Sequence, residues 1–372
     1  MILPRSAISW VTRVLSLSHG THEFNVVRHR LIEFLVTEMD FNVIAIEASA
    51  ANVERLNRYV LYGEGSPSAL VNQQIIGFWT VGTQDTLNLV RWLRDHNQRV
   101  DPANRVKFYG FDINVPEAGI RYVLDYMRQV GASPSLTENY NCIRQINYTT
   151  RSEDEKQRCR QTLQNVYDHL IEHREEYESA SSPEAFVRAL YMSQIALQAE
   201  AWIHSPLDFE TESIVRDQFM SENVRWLIEE RHPGAKIVLW GHNFHMGRID
   251  TTVQTMGHML HQWYGTEFVS VGTMTYQGEF TAQHTSRRLQ AFPVPPIPED
   301  THDHYLHELG IPLLFLPMPT DPPEWIASQR LLSIGAVYDT SMAERPFATW
   351  NLAEVFDAVI FIDQTTASQI MG

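Results

Sequence analysis

The chain has 372 residues, of which 44% are hydrophobic and 20% are charged, a composition typical of a globular protein with a sizeable buried core. Its formal net charge of −16 argues against nucleic acid and anionic membrane surfaces as partners, because both carry negative charge. The sequence contains no run of about eighteen apolar residues, so we expect no membrane span.

Taken in chain order, short apolar runs alternate with amphipathic stretches. The predicted strands are Val14–Leu17, Asn42–Ile46, Arg105–Phe111, Lys236–Trp240, Phe268–Tyr276 and Ala358–Ile362. Helical patterns cover residues 22–39, 49–62 and 84–96, and proline-rich connections occupy 293–298 and 317–323. This alternation predicts an α/β fold, with a mainly parallel central sheet that is flanked by helices on both faces.

One long stretch departs from the alternation, since residues of about 117–232 read as almost wholly helical. We interpret it as an insertion that packs over one end of the sheet and forms one wall of a deep cleft. Because it is not separable as an independent unit, residues 1–372 are predicted to form a single domain.

The cysteines and the N-terminal residues bear on the compartment. Cys142 and Cys159 occur in neither a CxxC nor a metal-ligand spacing, so we expect no disulfide scaffold and a reducing compartment. The first twenty residues include Arg5 and Arg13 and lack a continuous apolar core, so no secretory signal is expected. The sequence therefore predicts a cytoplasmic protein.

Four predicted strands lead into titratable side chains, namely His19, Glu47, Asp112 and His242. In open α/β sheets, ligands bind beyond the carboxyl ends of the strands. We therefore expect these four residues to share one site. The alternative is that they only begin polar loops.

The predicted helix after His19 carries an arginine on its apolar face. With Phe24 at the centre of that face and about 100° per residue, Arg28 falls among the apolar side chains. An unpaired guanidinium there would cost several kcal/mol, so we predict that Glu47 or Asp112 is its partner. Arg28 would then either hold an oxyanion or carboxylate of a substrate or serve as a buried structural ion pair.

Two HxxH pairs, His19/His22 and His242/His245, provide ligand types that zinc accepts. Each pair starts at a strand end rather than inside a helix, and no HExxH occurs, so we expect neither a metal nor another cofactor. Histidine suits general-base work because its pKa lies near neutrality. We expect one histidine of each pair to face the cleft and the other to cap or pack.

Other familiar catalytic motifs do not occur in the sequence. It has no GxSxG elbow, no P-loop and no GxGxxG. His302, His304 and His307 cluster near the start of a predicted surface helix, and we interpret them as residues of that surface.

Several sequence blocks resemble the erythromycin esterase family. In chain order they are His19–Phe24 with Arg28–Ile32, Phe41–Glu47, Asn57–Val60, Trp92–Asn97, Phe108–Asp112, Arg216–Met220 with Asn223, Gly241–His245, and Phe356–Ile360 with Asp363. They span nearly the whole chain in the order of that family. The set is specific, although each block alone is not.

The resemblance implies hydrolysis of an ester, such as a macrolactone, without a metal or a covalent intermediate. It implies that His19 is the general base acting on water, surrounded by Glu47, Arg28, His242 and His245 as further catalytic residues. We expect His242 and His245 to bind the substrate carbonyl or the departing alcohol. Four neighbours are candidate substrate-binding residues, namely Ser16, His22, Glu23 and Asp112.

One departure from the family pattern concerns the acidic partner of the base. The family's first block reads Gly-Glu, then two residues, then the histidine, whereas here Leu15 and Ser16 occupy the first two positions. Loss of a carboxylate that orients an imidazole costs orders of magnitude in rate. Glu23 is the candidate to compensate.

The expected partner is a small-molecule substrate, and we expect a monomer or a weak homo-oligomer. Two alternatives remain open. The first is a metal-dependent hydrolase that uses both HxxH pairs with Glu47 and Asp112. The second is a non-catalytic small-molecule-binding protein that has kept the cleft but lost the chemistry.

Overall fold

The computed structural model describes residues 11–144, 148–204, 209–250, 254–327, 329–342 and 346–372. Its strands are β1 Val11–Ser16, β2 Val43–Ser49, β3 Lys107–Asp112, β4 Ile237–His242, β5 Phe268–Gln283, β6 Leu289–Pro293, β7 Leu313–Pro317, β8 Gln329–Leu332, β9 Phe347–Trp350 and β10 Ala358–Thr365. The main sheet has the order β3-β2-β4-β1-β5-β10-β7, and β6 pairs with the far part of β5.

The sheet is mainly parallel, which confirms the predicted fold class. Every neighbouring pair from β3 to β10 is parallel, while β7 pairs antiparallel with β10 and β6 antiparallel with β5. A separate antiparallel pair joins β8 to β9. The carboxyl ends of β3, β2, β4 and β1 therefore lie side by side.

Helices surround the sheet. They are α1 His22–Met39, α2 Ala50–Tyr62, α3 Pro67–Val71, α4 Gln73–Ile76, α5 Gln84–Asn97, α6 Glu117–Gln129, α7 Glu153–Glu172, α8 Arg174–Ala180, α9 Pro183–His204, α10 Phe209–Trp226, α11 Asn243–Met246, α12 Met256–Tyr264, α13 His302–Glu308, α14 Glu324–Ala327 and α15 Leu352–Val355. A π-helical turn, Leu227–Arg231, continues α10. None of the helices in the described ranges is long and apolar enough to cross a bilayer.

The central strands are continuous apolar runs because both of their faces are covered. Successive side chains of a strand point to opposite faces. Val43 and Ala45 of β2 pack into one hydrophobic core, together with side chains of α10 and α12, whereas Ile44 and Ile46 pack into another core against α1, α2 and α5. Alternate residues of β4 divide in the same way.

The helical stretch has a core of its own. Helices α6, α7 and α9 pack together through apolar side chains that include Val123, Leu163 and Ile195. The stretch is interrupted by short 3₁₀ turns, among them Pro134–Thr137 and Cys142–Arg144, so it is less uniformly helical than the sequence indicates.

Two expectations are corrected by the packing. Cys142 and Cys159 form a disulfide with a Cα–Cα distance of 5.7 Å, because the turn that carries Cys142 folds back against α7, which sequence spacing does not encode. The helix expected near His302 exists as α13, but His302 itself is fully buried and its Nε2 lies 3.0 Å from the Trp350 carbonyl oxygen. It is therefore not a surface residue.

Candidate active site

Three adjacent strands bring His19, Glu47 and His242 together at the carboxyl edge of the sheet. Glu47 belongs to β2, His242 ends β4, and His19 follows β1. The rings of His19 and His242 are stacked, with centroids 4.8 Å apart and planes inclined by 23°. The backbone N–H of His242 donates to Glu47 Oε2 over 2.7 Å.

These side chains open into a cleft of about 430 Å³, a size typical of small-molecule sites. It is lined by His19, Glu47, Phe78, Asn114, Trp202, Glu212, Ser213, Arg216, His242, Phe244, His245, Ser333, Gly335 and Ala336. Trp202 and Glu212 belong to α9 and α10. The helical stretch therefore contributes a wall of the cleft, as predicted for residues of about 117–232.

A tight connection after β1 fixes the position of His19. The Leu17 N–H donates to Thr273 Oγ1 over 2.9 Å, and the Gly20 carbonyl accepts from the N–H groups of Thr281 and Ser368. A Cβ on residue 20 would lie only 2.0 Å from the Thr281 carbonyl oxygen, so only glycine permits this approach. The loop is thereby pinned to β5, and His19 is directed toward the cleft.

His19 is a neutral imidazole. Burial, together with His242, His245 and Arg216, lowers its pKa to about 3, against the opposing attraction of Glu47. None of the described residues forms a hydrogen bond with its ring nitrogens, and its ring contacts the rings of Phe78, Trp79 and His242. Near neutral pH a ring nitrogen of His19 is therefore available to accept a proton.

His242 differs from His19 because both of its ring nitrogens are used within the protein. Nε2 lies 2.9 Å from the carbonyl oxygens of Leu17 and Ile334, which can only accept, so Nε2 carries the proton. Nδ1 accepts from the Phe244 N–H over 3.2 Å, and burial lowers the pKa of the ring. This arrangement does not fit the expected contact of His242 with substrate, since neither nitrogen is left for one. The ring of His242 stacks on that of His19.

A buried charge network, in which α10 supplies the cation, lies behind the histidines. Arg216 Nη2 is 2.6 Å from Asp112 Oδ2 and 3.1 Å from Glu47 Oε1, and Nε is 3.2 Å from Asp112 Oδ1. Burial alone would raise the pKa of Glu47, but His245, His19 and Arg216 together hold it well below its usual value. Asp112 thus braces Arg216 and is not among the residues that line the cleft.

His245 is held by a second carboxylate. Its Nδ1 lies 2.5 Å from Asp217 Oδ1, and Asp217 Oδ2 accepts from the Met256 N–H over 3.2 Å. Its Nε2 lies 2.9 Å from Arg216 Nη1 and 3.7 Å from Glu47 Oε1. Burial opposes protonation, yet Asp217 and Glu47 raise the pKa of His245 above its ordinary value.

The predicted partner of Arg28 is wrong. Arg28 is buried and donates to Asn25 Oδ1 and to the Phe24 carbonyl, with its guanidinium carbon 4.3 Å from the centroid of the Trp240 ring. Among the described carboxylates none forms an ion pair with it, because Arg216 occupies both Glu47 and Asp112. Burial lowers the pKa of Arg28 to about 9, although Asp85 and Glu47 oppose this shift. Its position borders a small cavity that also touches His19 and Glu47.

Two candidate substrate-binding residues lie outside the cleft. His22 Nδ1 is 2.8 Å from Asp85 Oδ1, and the carboxylate of Glu23 accepts from the N–H and the hydroxyl of Thr366 over 2.7 Å each. Glu23 therefore does not compensate for the missing acidic partner of His19. The backbone of Ser16 pairs in register with His242, but its side chain is outside the described part of the structure.

The geometry does not assemble the metal site of the first alternative. That site requires both HxxH pairs to converge with Glu47 and Asp112, but His22 binds Asp85 and both nitrogens of His242 are engaged. Where side chains are described, metal-ligand spacing occurs elsewhere, at the exposed end of α7.

Arg216 and Asp217 are the residues of this site that sequence reasoning left out. They are consecutive charged residues in a helix, and both are largely buried, with side-chain exposures of 15% and 0%. The sequence signal was present, since both belong to a block that resembles the family. The partner that each would find across the cleft is a property of tertiary structure.

Comparison with known proteins shows the family to which the chain is similar. The family model described as erythromycin esterase matches residues 36–365. The chain is 21% identical over 383 residues to the putative hydrolase YbfO of Bacillus subtilis, covering 95% of this chain and 83% of that protein. It is 20% identical over 399 residues to the erythromycin esterase type II of Escherichia coli, covering 97% and 91%.

The fold also matches a solved structure. A mutant of the erythromycin esterase EreC in its open conformation superposes with a TM-score of 0.72 at 15% identity, covering 96% of this chain and 91% of that one. At 15% identity the solved structure shows a likeness of fold alone. The family is shown by the family model, which matches most of the chain. The protein therefore belongs to the erythromycin esterase family.

Proposed function

We propose that the protein is a hydrolase that cleaves the ester bond of a small molecule, with His19 as the general base that activates water. The observation that carries this proposal is the position of His19, which lines the cleft and has no described hydrogen bond to its ring nitrogens. A general base must be deprotonated and within reach of the water that it activates.

In the proposed reaction, His19 removes a proton from water as the water oxygen attacks the ester carbonyl carbon. The carbonyl oxygen becomes an oxyanion, and the positive charge of Arg216 at the cleft supports it. The intermediate then collapses, the bond to the alcohol oxygen breaks, and that oxygen takes a proton from a histidine. In this structure His245 Nε2 accepts from Arg216 Nη1 over 2.9 Å. His245 fits the role of this donor once Nε2 takes up a proton, because Asp217 and Glu47 raise its pKa.

The remaining predicted catalytic residues act by positioning in this proposal. His242 keeps the His19 ring in place by stacking, and Glu47 orients the backbone of His242. Arg28, beneath the same strands, is assigned to the scaffold of the site. The proposed substrates are carboxylic esters of small molecules, with macrocyclic lactones among them, as the name of the Escherichia coli relative indicates.

The test is hydrolysis of a panel of macrolides and simple esters, followed as a mass gain of one water. His19→Gln should reduce turnover by about 10²- to 10⁴-fold. His22→Gln is the matched control, because His22 is three residues away and binds Asp85 outside the cleft; it should retain activity within about twofold. Equal activity of wild type and His19→Gln on every hydrolysed substrate would refute the assignment of the base.

A second candidate, a non-catalytic binding protein, is favoured by one observation: no described carboxylate pairs with the ring of His19. Ser16→Glu restores the acid at the position where the family carries it. A gain in hydrolysis after this change supports a weakened enzyme. Ligand binding without turnover in both forms supports the binding protein.

A further inference from the structure

A second cavity lies beside the edge strand β3. Its volume is about 400 Å³, and it shares no lining residue with the cleft around His19. It is enclosed by α2, α9, the start of β3 and the turn after α10. Lys107 at its rim is five positions before Asp112 on β3, which corresponds to about 17 Å along the strand. The cavity is therefore separate from the candidate active site.

The lining of this cavity is basic, although the chain is acidic overall. It contains four basic side chains, Arg105, Lys107, Arg188 and Arg231, and two acidic ones, Glu54 and Glu184. The formal charge of the lining is thus +2, in a chain whose net charge is −16. Such a local excess of cations in a concave site attracts anions.

Three of these cations have no ion pair among the described residues. Glu54 pairs with Arg188 at 3.6 Å, but no described carboxylate forms an ion pair with Arg105, Lys107 or Arg231. Burial and the neighbouring Arg231 lower the pKa of Lys107. Burial, Arg231 and Lys107 lower the pKa of His232, also in the lining, to about 3. The cations repel one another, and a bound anion would relieve that repulsion.

The cavity also contains buried polar atoms without partners. Tyr191 is only 4% exposed, and among the described residues neither its hydroxyl nor the Nε atom of Arg105 has a hydrogen-bond partner. The Tyr191 ring is stacked on Trp226, with centroids 4.1 Å apart and planes inclined by 3°. An unsatisfied buried hydroxyl is costly unless a ligand completes it, and the stacked rings offer an apolar wall beside the cations.

We propose that this cavity binds a small organic phosphate monoester, with Lys107, Arg231 and the Tyr191 hydroxyl holding the phosphate and the Tyr191–Trp226 pair contacting the organic group. A phosphate monoester carries a charge of about −1.5 to −2 at pH 7, which matches the charge of the lining. Arginine and lysine are the residues that commonly bind phosphate oxygens.

Phenyl phosphate is a suitable probe, titrated into the full chain by calorimetry at low ionic strength and pH 7.5. We expect saturable binding with one site per chain. Lys107→Gln and Arg231→Gln should each weaken it by about tenfold or more. Arg121→Gln, which removes the same charge from an exposed position of α6, should leave it unchanged, and so should His19→Gln. Thermal melts of the free variants report whether each one is folded.

Tyr191→Phe distinguishes a ligand contact from a structural role. The hydroxyl has no hydrogen-bond partner in the described part of the chain, so its removal should leave the melting temperature of the free protein the same or higher, while phenyl phosphate binds several-fold more weakly. Inorganic phosphate should bind more weakly than phenyl phosphate, and benzoate more weakly still.

Several results would overturn the proposal. Absence of saturable phenyl phosphate binding would do so, as would affinity that is unchanged in both Lys107→Gln and Arg231→Gln. Loss of binding in His19→Gln would place the anion in the cleft instead. Equal or tighter binding of inorganic phosphate would refute the role given to the aromatic wall. Each outcome is independent of ester hydrolysis, so it does not depend on the proposed function.

Discussion

Replacement of Arg216 by glutamine should destabilise the folded protein by about 3–5 kcal/mol at pH 7, because it leaves buried carboxylates without their cation. Arg216 makes contacts of 3.1 Å or less with Glu47, Asp112 and His245, and both carboxylates are nearly inaccessible to solvent, at 4% and 0% exposure. A glutamine amide is neutral and shorter, so it replaces neither the charge nor the full set of hydrogen bonds.

The loss of stability caused by Arg216→Gln should depend on pH. In the wild type the pKa of Glu47 is held below its ordinary value of 4.5, so its ionisation contributes stability that is present above that pH and is lost as the pH falls through the folded-state pKa. Without Arg216 the pKa of Glu47 rises, since one of the attractive charges is gone. The difference between variant and wild type should therefore be largest near neutrality and should shrink below about pH 4.5.

Urea denaturation at several pH values measures this difference. Arg225→Gln is the matched control on the same helix, because Arg225 forms an exposed ion pair with Glu229, with side-chain exposures of 50% and 41%. Its loss should leave the free energy of unfolding close to that of the wild type. A second comparison pairs Arg216→Gln with Asp112→Asn, which should recover part of the lost stability. If the free energy of unfolding of Arg216→Gln stays within about 1 kcal/mol of the wild-type value at pH 7, the charge network stabilises the protein less than inferred here.

Three further perturbations follow from individual contacts. Asp217→Asn should lower turnover of any hydrolysed ester by about 10- to 100-fold with little change in KM, because it removes the carboxylate that raises the pKa of His245; an unchanged pH–rate profile would contradict the role given to that pair. Cys142→Ser should lower the free energy of unfolding by about 3 kcal/mol, given the sequence separation of 17 residues, and wild type melted with a reductant should match the variant. Because the pKa of His19 falls from 6.5 to about 3 on folding, the wild type should lose stability as the pH falls through that range. His19→Gln should lose less stability over the same range when the free energy of unfolding is measured by urea titration. Parallel plots of that free energy against pH for the two proteins would argue against the lowered pKa.

The fold was largely accessible from sequence because the central strands carry a strong local signal. The predicted strand Lys236–Trp240 lies within two residues of the observed β4, Ile237–His242, since a strand covered on both faces must be apolar throughout. Four short strands, β6, β7, β8 and β9, were missed. Of these, β8 and β9 have four residues each and pair with each other, so no long apolar run indicates them in the sequence.

Only part of the candidate site could be predicted from the sequence. Strand order places the ends of β1, β2 and β4 together, so the proximity of His19, Glu47 and His242 follows from topology. The pairing of buried charges does not. The helical position of Arg28 indicates a buried cation, but the carboxylates bind Arg216, which approaches from a helix far along the chain. Local periodicity shows that a charge is buried without showing which partner satisfies it.

The two HxxH motifs provide His19 and His245, whose surroundings shift their pKa values in opposite directions. His19 is close to Arg216 and to two other histidines, and burial with these neighbours holds its pKa low. His245 has Asp217 on one side and Glu47 on the other, and these charges hold its pKa high. Paired groups whose pKa values are driven apart are suited to opposite roles in proton transfer. In the proposed reaction, Ser16→Glu is therefore expected to raise the pKa of His19 and to strengthen it as a base, while the pKa of His245 stays high.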